Sequence, residues 1–324
     1  MKASYQPMPT NAHYSEQIKK LVTKKYYPYR SETTDLFLNY FLNTFNSIEI
    51  IFTYGSTLSS RMATNSSYPD FYIIVNNYMR FYKSRVHAAL NKIVPPNSYF
   101  LKIEKNGVIM PSKYCVIDMQ GFRDAAAVKK TNDLYIAGRL AKRIGIMYVK
   151  NEQVLLDLIE NIYNALHFNV MLALSDINGK EFTIDEFILT LLGLSYRAEI
   201  RTETPDKILS IYESEPDFYK TIYTMLLEQE INNNTVKKSG GKYEVINAYF
   251  SKQYVKGFIS RGRRRAVYRW PKGVYTFKNY VDYLETKIER TTGEKLNLTK
   301  WDRRFPLIFG WRHLFKLLKR KAIK

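Results

Sequence analysis

Two apolar runs joined by a polar segment constrain the fold of this chain more than any other feature. The first, Ile48–Tyr54, stops at Gly55-Ser56, and Asp70 opens the second, which ends at Val75. Gly55 allows a backbone to approach an anion closely because it tolerates positive φ, and Ser56 adds a hydroxyl donor. A carboxylate such as Asp70 suits Mg²⁺, which shares oxygen ligands with substrate phosphates. The stretch predicts a site for a nucleoside triphosphate and a metal ion, and a plain loop between two core strands is the alternative.

Strand and helix patterns alternate as far as residue 150. Residues 36–45 and 78–93 have apolar side chains at helical spacing, whereas residues 113–119 and Ile144–Val149 are apolar runs typical of core strands. We therefore expect an α/β nucleotidyltransferase domain over residues 1–150, with a mixed sheet and flanking helices.

The apolar period changes to that of a helix after residue 150, which predicts a helical second domain over residues 151–250. Residues 232–241 are rich in Asn and Gly, and we expect a loop or a disordered segment there. The third part, residues 251–324, is a basic C-terminal region.

The charge of the chain is concentrated at this C-terminal end. The net charge is +20, and the stretch from Lys252 to Lys324 holds 21 of the 50 basic residues but 5 of the 30 acidic ones. Such a region predicts a polyanionic partner, either an anionic membrane surface or a nucleic acid. A dense cluster within it suits lipid headgroups or RNA phosphates, with an unstructured basic loop as the alternative: Arg261, Arg263, Arg264 and Arg265.

The last residues predict an amphipathic helix that lies at a membrane interface, with a helix docked on the protein's own core as the alternative. Its apolar face includes Trp311, Leu314, Phe315 and Leu318, and its flanks include Arg312, Lys316, Lys319 and Arg320. Cys115 is the one cysteine, which excludes an internal disulfide and a metal site built from several cysteines. No run of about 18 apolar residues occurs, so no membrane-spanning helix is expected.

Acidic residues near the ends of predicted strands are the candidate metal ligands. Two carboxylates on adjacent strands can hold one or two Mg²⁺ ions for phosphoryl chemistry, and Asp70 and Asp118 are our choice. Asp118 comes late in a core strand, where burial without a metal or partner is costly, although a solvent-facing strand end explains it equally well. Asp124 is a reserve ligand, or an ordinary acid at a helix start. A second acid is expected two residues after Asp70, but Tyr72 stands at that position. Other residues must therefore supply the remaining ligands of the metal site.

Three cationic or titratable side chains are further candidates. Lys113 and Arg139 can bind phosphate oxygens, with Lys113 assigned to catalysis, or they can be solvated surface charges. His87 lies among basic residues and can position a substrate, although a solvated helical histidine fits the pattern as well.

Five motifs follow one another between residues 54 and 201: Tyr54-Gly55-Ser56, Asp70-Phe71, Lys113-Tyr114-Cys115-Val116-Ile117, Leu134-Tyr135-Ile136-Ala137-Gly138-Arg139-Leu140 and Leu194-Ser195-Tyr196-Arg197-Ala198-Glu199-Ile200-Arg201. In this order they resemble the motifs Tyr-Gly-Ser-Gly, Asp-Phe-Ile, Lys-Tyr-Gly-Val-Ile, Leu-Tyr-x-Ala-Gly-Arg-Leu and Leu-Ser-Tyr-x-Gly-Asp-x-Arg. These belong to the phosphatidate cytidylyltransferases of the mitochondrial translocator assembly and maintenance family.

The resemblance implies a nucleotidyltransferase domain followed by a helical, winged-helix-like domain. It also implies that CTP and phosphatidic acid react, with Mg²⁺, to give CDP-diacylglycerol and pyrophosphate. By position, Tyr54, Gly55 and Ser56 would contact the CTP phosphates, Asp70 would bind the metal, and Lys113 and Arg139 would meet phosphate oxygens. An anionic membrane surface is then the expected partner, and nucleic acid is not.

Several positions depart from the family's motifs. Thr57 and Cys115 replace glycines, and Ala198 and Glu199 stand where the family has Gly and Asp. No mitochondrial presequence is apparent, so we expect a bacterial enzyme, peripheral on the cytoplasmic face of the inner membrane. Two alternatives remain open: a nucleotidyltransferase that acts on RNA or protein, and a non-enzymatic, basic nucleic-acid-binding protein.

Overall fold

A five-stranded mixed sheet organises the computed structural model, which describes residues 12–58, 68–93, 95–128, 133–199, 206–276 and 298–305 together with residues 281, 285, 289 and 313. The strand order is β3-β4-β2-β1-β5. β2 and β4 are parallel, and the other neighbours are antiparallel. The strands are β1 (Ile48–Tyr54), β2 (Asp70–Val75), β3 (Asn97–Lys105), β4 (Val108–Asp118) and β5 (Ile144–Val149). The expected α/β domain with a mixed sheet is confirmed.

The central strands β1 and β2 are mostly apolar and are buried along nearly their whole length, because helices cover both faces of the sheet. Side chains alternate between the faces along each strand. One face presents Phe52, Tyr72 and Cys115 to the larger hydrophobic cluster, and the opposite face presents Phe71 and Val116 to a smaller one.

Three helices cover the smaller cluster: α2 (Glu32–Thr44), α3 (Tyr78–Tyr82) and α4 (Arg85–Ile93). Phe37 and Phe41 of α2 place their rings 5.5 and 5.4 Å from that of Phe71. α2 begins at Ser31, whose hydroxyl accepts a hydrogen bond from the backbone N–H of Thr34, the usual way to satisfy a first-turn donor.

The helices that contribute to the larger cluster lie on the other side of the sheet. They are α1 (Ala12–Tyr26), α5 (Met119–Ala126), α6 (Ala137–Leu140), α7 (Glu152–Ile177), α8 (Ile184–Arg197), α9 (Asp206–Ser214), α10 (Pro216–Asn232) and α11 (Lys252–Thr276). A short helix, α12 (Lys300–Arg304), follows. One hydrophobic cluster contains Phe52 of the sheet together with Leu172, Phe187 and Phe258 of α7, α8 and α11, so the helical segment is packed directly against the sheet.

The prediction of a loop or disorder over residues 232–241 is wrong. β6 (Val236–Ser239) and β7 (Lys242–Val245) form an antiparallel hairpin. Gly240 and Gly241 both have positive φ, which is what a two-residue hairpin turn requires. Val236 and Val245 pair across it and are buried, whereas the intervening lysines face solvent and obscure the strand pattern.

The dense arginine cluster is part of α11, so the alternative of an unstructured basic loop is also wrong. The residues of the proposed terminal membrane helix lie outside the described residues: Trp311, Arg312, Leu314, Phe315, Lys316, Leu318, Lys319 and Arg320. Among the helices that are described, none combines the length and the apolar character needed to cross a bilayer.

Candidate active site

Two rows of side chains cross the sheet on the face that the long helices cover. Strand register and alternation define both rows. The first row is Tyr54, Asp70, Lys113 and Phe100. The second, one pleat further along the strands, is Phe52, Tyr72, Cys115 and Ser98. The first row therefore brings together the acid, the lysine and the aromatic residue that three separate sequence motifs supply.

The Gly55 turn lies at the end of this first row. Gly55 has φ +94°, and a Cβ there would lie 3.8 Å from Oδ2 of Asp70, so the turn and the carboxylate are neighbours. Leu58 donates its backbone N–H to the Gly55 carbonyl at 3.2 Å and closes the turn. Oγ1 of Thr57 is buried with no hydrogen-bond partner in the described part of the chain. The side chain of Ser56 is not among those described.

Arg139 reaches the first row from α6. Its Nη1 donates to Oε1 of Glu199 at 2.8 Å, and the two side chains are only 12% and 10% exposed. The guanidinium lies 4.0 Å from the Tyr135 ring centroid and 5.8 Å from that of Tyr54. Burial alone would lower the pKa of Arg139, but the Glu199 carboxylate and the surrounding tyrosines raise it well above its usual value. Arg139 is therefore a fixed cation beside Tyr54.

This ion pair joins two of the sequence motifs that are far apart in the chain. Glu199 departs from the family's Asp but keeps the carboxylate that Arg139 needs. The same motifs meet again at Gly138, where a Cβ would lie 2.5 Å from Cβ of Ser195. Because a Cβ contact that short forces atoms apart, only glycine allows α6 to approach α8 this closely.

The predicted pairing of Asp70 with Asp118 is wrong. Because β2 and β4 are parallel, Asp70 pairs with Lys113 whereas Asp118 pairs with Val75 at the opposite edge. Five residues of strand separate the two acids, or about 16 Å, which no single metal ion bridges. Asp118 instead caps α5: its Oδ1 accepts a hydrogen bond from the Gly121 N–H at 2.7 Å. An acid at the end of a core strand is thus explained by the helix that follows it.

The reserve residues do not complete a metal site either. Asp124 lies on α5 and accepts a hydrogen bond from Gln120 at 3.1 Å. Nowhere in the described ranges do three His, Cys, Asp or Glu side chains come together to hold a metal ion. His87 lies on α4, on the opposite side of the sheet, with Nδ1 3.2 Å from the Ser84 hydroxyl and its ring beside Tyr82. A substrate-positioning role for His87 at the first row is excluded by this location.

α11 supplies two site residues that the sequence patterns did not identify, Arg269 and Lys272, and one, Arg265, that they placed in the dense arginine cluster. Asp133 is buried and accepts hydrogen bonds from Nε of Arg265 at 2.7 Å and from Nη2 of Arg269 at 2.8 Å. The Arg269 guanidinium lies 4.2 Å from the Tyr135 ring centroid, so Tyr135 is sandwiched between Arg269 and Arg139. The sequence pattern that could have identified them is the spacing of residues 265, 269 and 272, which places three cations on one face of a helix.

Lys272 is the last of these cations along α11. Its Nζ donates to the Pro96 carbonyl at 2.8 Å. Burial first, and Arg269 second, lower its pKa to about 7, whereas Cys115 of the second row acts in the opposite direction. A lysine with this pKa changes charge near neutral pH, and a nearby anion would favour its charged form.

The residues around Asp70 fit a magnesium ion that is shared with a triphosphate. Mg²⁺ is usually held by one or two carboxylates, with waters and substrate phosphates as the other ligands. Asp70 supplies one carboxylate beside the Gly55 turn. Tyr72 does not supply a second anionic ligand, because it has no carboxylate and burial raises the pKa of its hydroxyl, which keeps the hydroxyl neutral.

A family model described as phosphatidate cytidylyltransferase, mitochondrial, matches residues 38–299. The match includes both rows of the sheet face, Arg139 with Glu199, and the three inward cations of α11. No curated protein matches the chain. The similarity therefore extends over the whole candidate site and most of the 324 residues.

Proposed function

The chain belongs to the family of mitochondrial phosphatidate cytidylyltransferases, and from that premise we propose how its own residues carry out the reaction. The enzyme is a nucleotidyltransferase of phospholipid biosynthesis whose substrates are CTP and phosphatidic acid. A phosphate oxygen of phosphatidic acid forms a bond to the α-phosphorus of CTP. The bond from that phosphorus to the β-phosphate oxygen breaks, and pyrophosphate leaves with the electron pair. The product is CDP-diacylglycerol.

We assign the first row of the sheet to the nucleotide. Gly55 allows the turn backbone to approach phosphate oxygens, with Ser56 following it and Tyr54 beside it. Lys113 and Arg139 neutralise phosphate charge as it shifts towards the leaving group. The observation that supports this assignment is the meeting of Gly55, Asp70 and Lys113 at one edge of the sheet.

Asp70 is the residue that we propose for Mg²⁺. When bound, the ion would neutralise charge on the triphosphate and favour departure of pyrophosphate. Asp70 can hold it because the carboxylate faces the Gly55 turn, where the phosphates are placed. Lys113 lies directly across the strand pair from Asp70, so it can bind an oxygen of the same triphosphate without a change of backbone.

We propose a peripheral location on an anionic membrane surface. The outer side of α11 supports this, since four of its basic residues are exposed and none forms an ion pair with a described residue: Lys252, Lys256, Arg263 and Arg264. Tyr268 on the same side is 71% exposed. Basic side chains with an aromatic residue at a helix surface suit an anionic interface. The amphipathic helix over residues 307–320 and the bacterial inner membrane, at its cytoplasmic face, stay predictions.

We retain the division into residues 1–150, 151–250 and 251–324 as a proposal. The β6–β7 hairpin supports a winged-helix-like second part, because it follows α8 to α10 and pairs through Tyr243 with Phe182 just before α8. A hairpin attached to a helical bundle in this way has the form of a wing.

Product formation from defined substrates tests the function. The full chain should convert CTP and dioctanoyl phosphatidic acid into CDP-dioctanoylglycerol, detected by mass spectrometry, with release of pyrophosphate. ATP, GTP and UTP in place of CTP, and dioctanoylglycerol in place of the acid, should give little product. Transfer of CMP to RNA or protein with none to the lipid would overturn the assignment.

A further inference from the structure

We propose that Arg269 and Lys272 of α11, together with Tyr72 of β2, form a second phosphate subsite that takes the phosphomonoester of phosphatidic acid. The assignment to the lipid rests on the proposed function. The subsite itself rests on the contacts, charge and burial of these residues, and it lies beside the first row that we assign to CTP, with Tyr72 close to Arg139.

The subsite lies where α11 crosses the second row of the sheet. Lys272 is anchored by its hydrogen bond to the Pro96 carbonyl, immediately before β3. It lies close to Cys115, which pairs in register with Tyr72 on one side and Ser98 on the other. Arg269, one turn earlier on the helix, lies over the Tyr135 ring. Arg269 and Lys272 act on each other electrostatically, so the two cations are neighbours, and Tyr135 under Arg269 also lies close to Tyr72 of the second row.

Positive charge exceeds negative charge around Arg269. In the described chain one buried carboxylate, that of Asp133, pairs with both Arg265 and Arg269. A buried charge that is only partly balanced is costly. An anion that binds beside Arg269 during the reaction would supply the second negative charge.

Six buried side-chain polar atoms in the described chain have no hydrogen-bond partner; two of them belong to residues of this subsite, and both can donate to such an anion. They are Nε of Arg269 and the hydroxyl of Tyr72. Tyr72 is fully buried and the Arg269 side chain is 11% exposed, so bulk water does not readily satisfy them. A phosphomonoester has three terminal oxygens and accepts several charge-assisted hydrogen bonds at once.

The position of the subsite favours the lipid over the nucleotide. Two residues of strand, about 7 Å, separate the first row from the second, so two phosphates can lie in neighbouring subsites. The first row already has a turn, a lysine and a carboxylate for the triphosphate. α11 also exposes basic residues on its outer side, so one helix connects the proposed membrane surface with the proposed lipid-phosphate subsite.

Separate kinetic constants for the two substrates test the assignment. Arg269→Gln and Lys272→Met, made in the full chain, should each raise the KM for dihexanoyl phosphatidic acid by about 10-fold or more. The KM for CTP should change less than about 2-fold. Arg80→Gln and Lys92→Met remove the same charges from exposed positions on α3 and α4, across the sheet, and should change neither constant.

A binding measurement keeps this test independent of catalysis. Titration calorimetry of wild type with dihexanoyl phosphatidic acid alone should show binding that both variants weaken, whereas dihexanoylglycerol should not bind. Arg269→Lys, which keeps the charge, should retain more affinity than Arg269→Gln, and circular dichroism should show that each variant is folded.

The outcomes separate the two proposals. A rise in the KM for CTP alone would overturn the lipid assignment, and no change in either constant would overturn the subsite. If wild type binds the phosphatidic acid through these residues but forms no CDP-diacylglycerol, the proposed function fails while the subsite stands.

Discussion

The guanidinium of Arg139 donates a 2.8 Å hydrogen bond to the carboxylate of Glu199, 60 residues further along the chain. The pair is nearly buried, and it holds the cation beside Tyr54 at the first row of the sheet. Glu199 thereby links the helical part of the molecule to the first row of the sheet.

Glu199→Gln should lower both stability and activity. Loss of one partner from a buried ion pair leaves an uncompensated charge, which costs about 3 kcal/mol. Urea denaturation should show this loss, and the rate of pyrophosphate release should fall because Arg139 is no longer held. Glu181→Gln is the control, because its pair with Lys242 is about 60% exposed and should contribute less than about 1 kcal/mol. Equal stability of the two variants would contradict the structural role of Glu199.

The two aspartates that the sequence pairs should respond differently to replacement. Asp70→Asn should abolish pyrophosphate release, because it removes the carboxylate beside the Gly55 turn. Asp118→Asn should leave the rate near that of wild type, since Asn caps a helix about as well as Asp. Pyrophosphate release from CTP and dioctanoyl phosphatidic acid measures both. A rate for Asp118→Asn as low as that for Asp70→Asn would restore Asp118 to the site.

Gly138→Ala should destabilise the protein by about 1–3 kcal/mol, because the new methyl group collides with Ser195 and forces α6 away from α8. Arg139 lies next in the chain, so activity should fall as well. Gly193→Ala is a matched control within α8: its Cβ would meet Ile208 at an ordinary 3.7 Å, and alanine favours a helix by up to about 1 kcal/mol. Thermal melting should therefore shift down for the first variant and not for the second.

Lys272 should make stability depend on pH. Burial lowers its pKa from the usual 10.5 to about 7 in the folded chain, so between these values the unfolded chain binds a proton that the folded chain does not. Stability of wild type relative to Lys272→Met should therefore rise as pH increases through this window, by about 1 kcal/mol per unit. Urea denaturation at pH 6.5, 8 and 9 measures it. Arg269 and Cys115 are described groups that act on the charge of Lys272, and parallel curves would show that Lys272 titrates normally.

The outer side of α11 should contribute to membrane binding. Replacing Lys256, Arg263 and Arg264 together with Gln should weaken binding to vesicles that contain phosphatidic acid by about 100-fold, at about 1 kcal/mol per residue. Affinity for CTP should not change, since these side chains face away from the sheet. Co-sedimentation with anionic and with purely zwitterionic vesicles measures the difference. Removal of residues 307–324 gives a second test, and loss of CTP binding would show that the terminal segment is structural.

Local sequence patterns were sufficient for much of the fold and for half of the site. The apolar runs around Gly55 and Asp70 predicted two adjacent core strands, and alternation of strands and helices predicted the mixed sheet. These features depend on residues close together in the chain, where spacing and turn chemistry act directly. The order of the family motifs also pointed to Lys113 and Arg139.

Only the tertiary structure decided which distant residues meet. The parallel register of β2 and β4 places Asp118 at the opposite edge from Asp70, although in the sequence both acids lie near the ends of predicted strands. The return of α11 over β3 brings Arg269 and Lys272 to the sheet, although their composition suggested a surface region. Strand register and helix packing depend on the whole hydrophobic core, so no local pattern of charge or spacing can specify them.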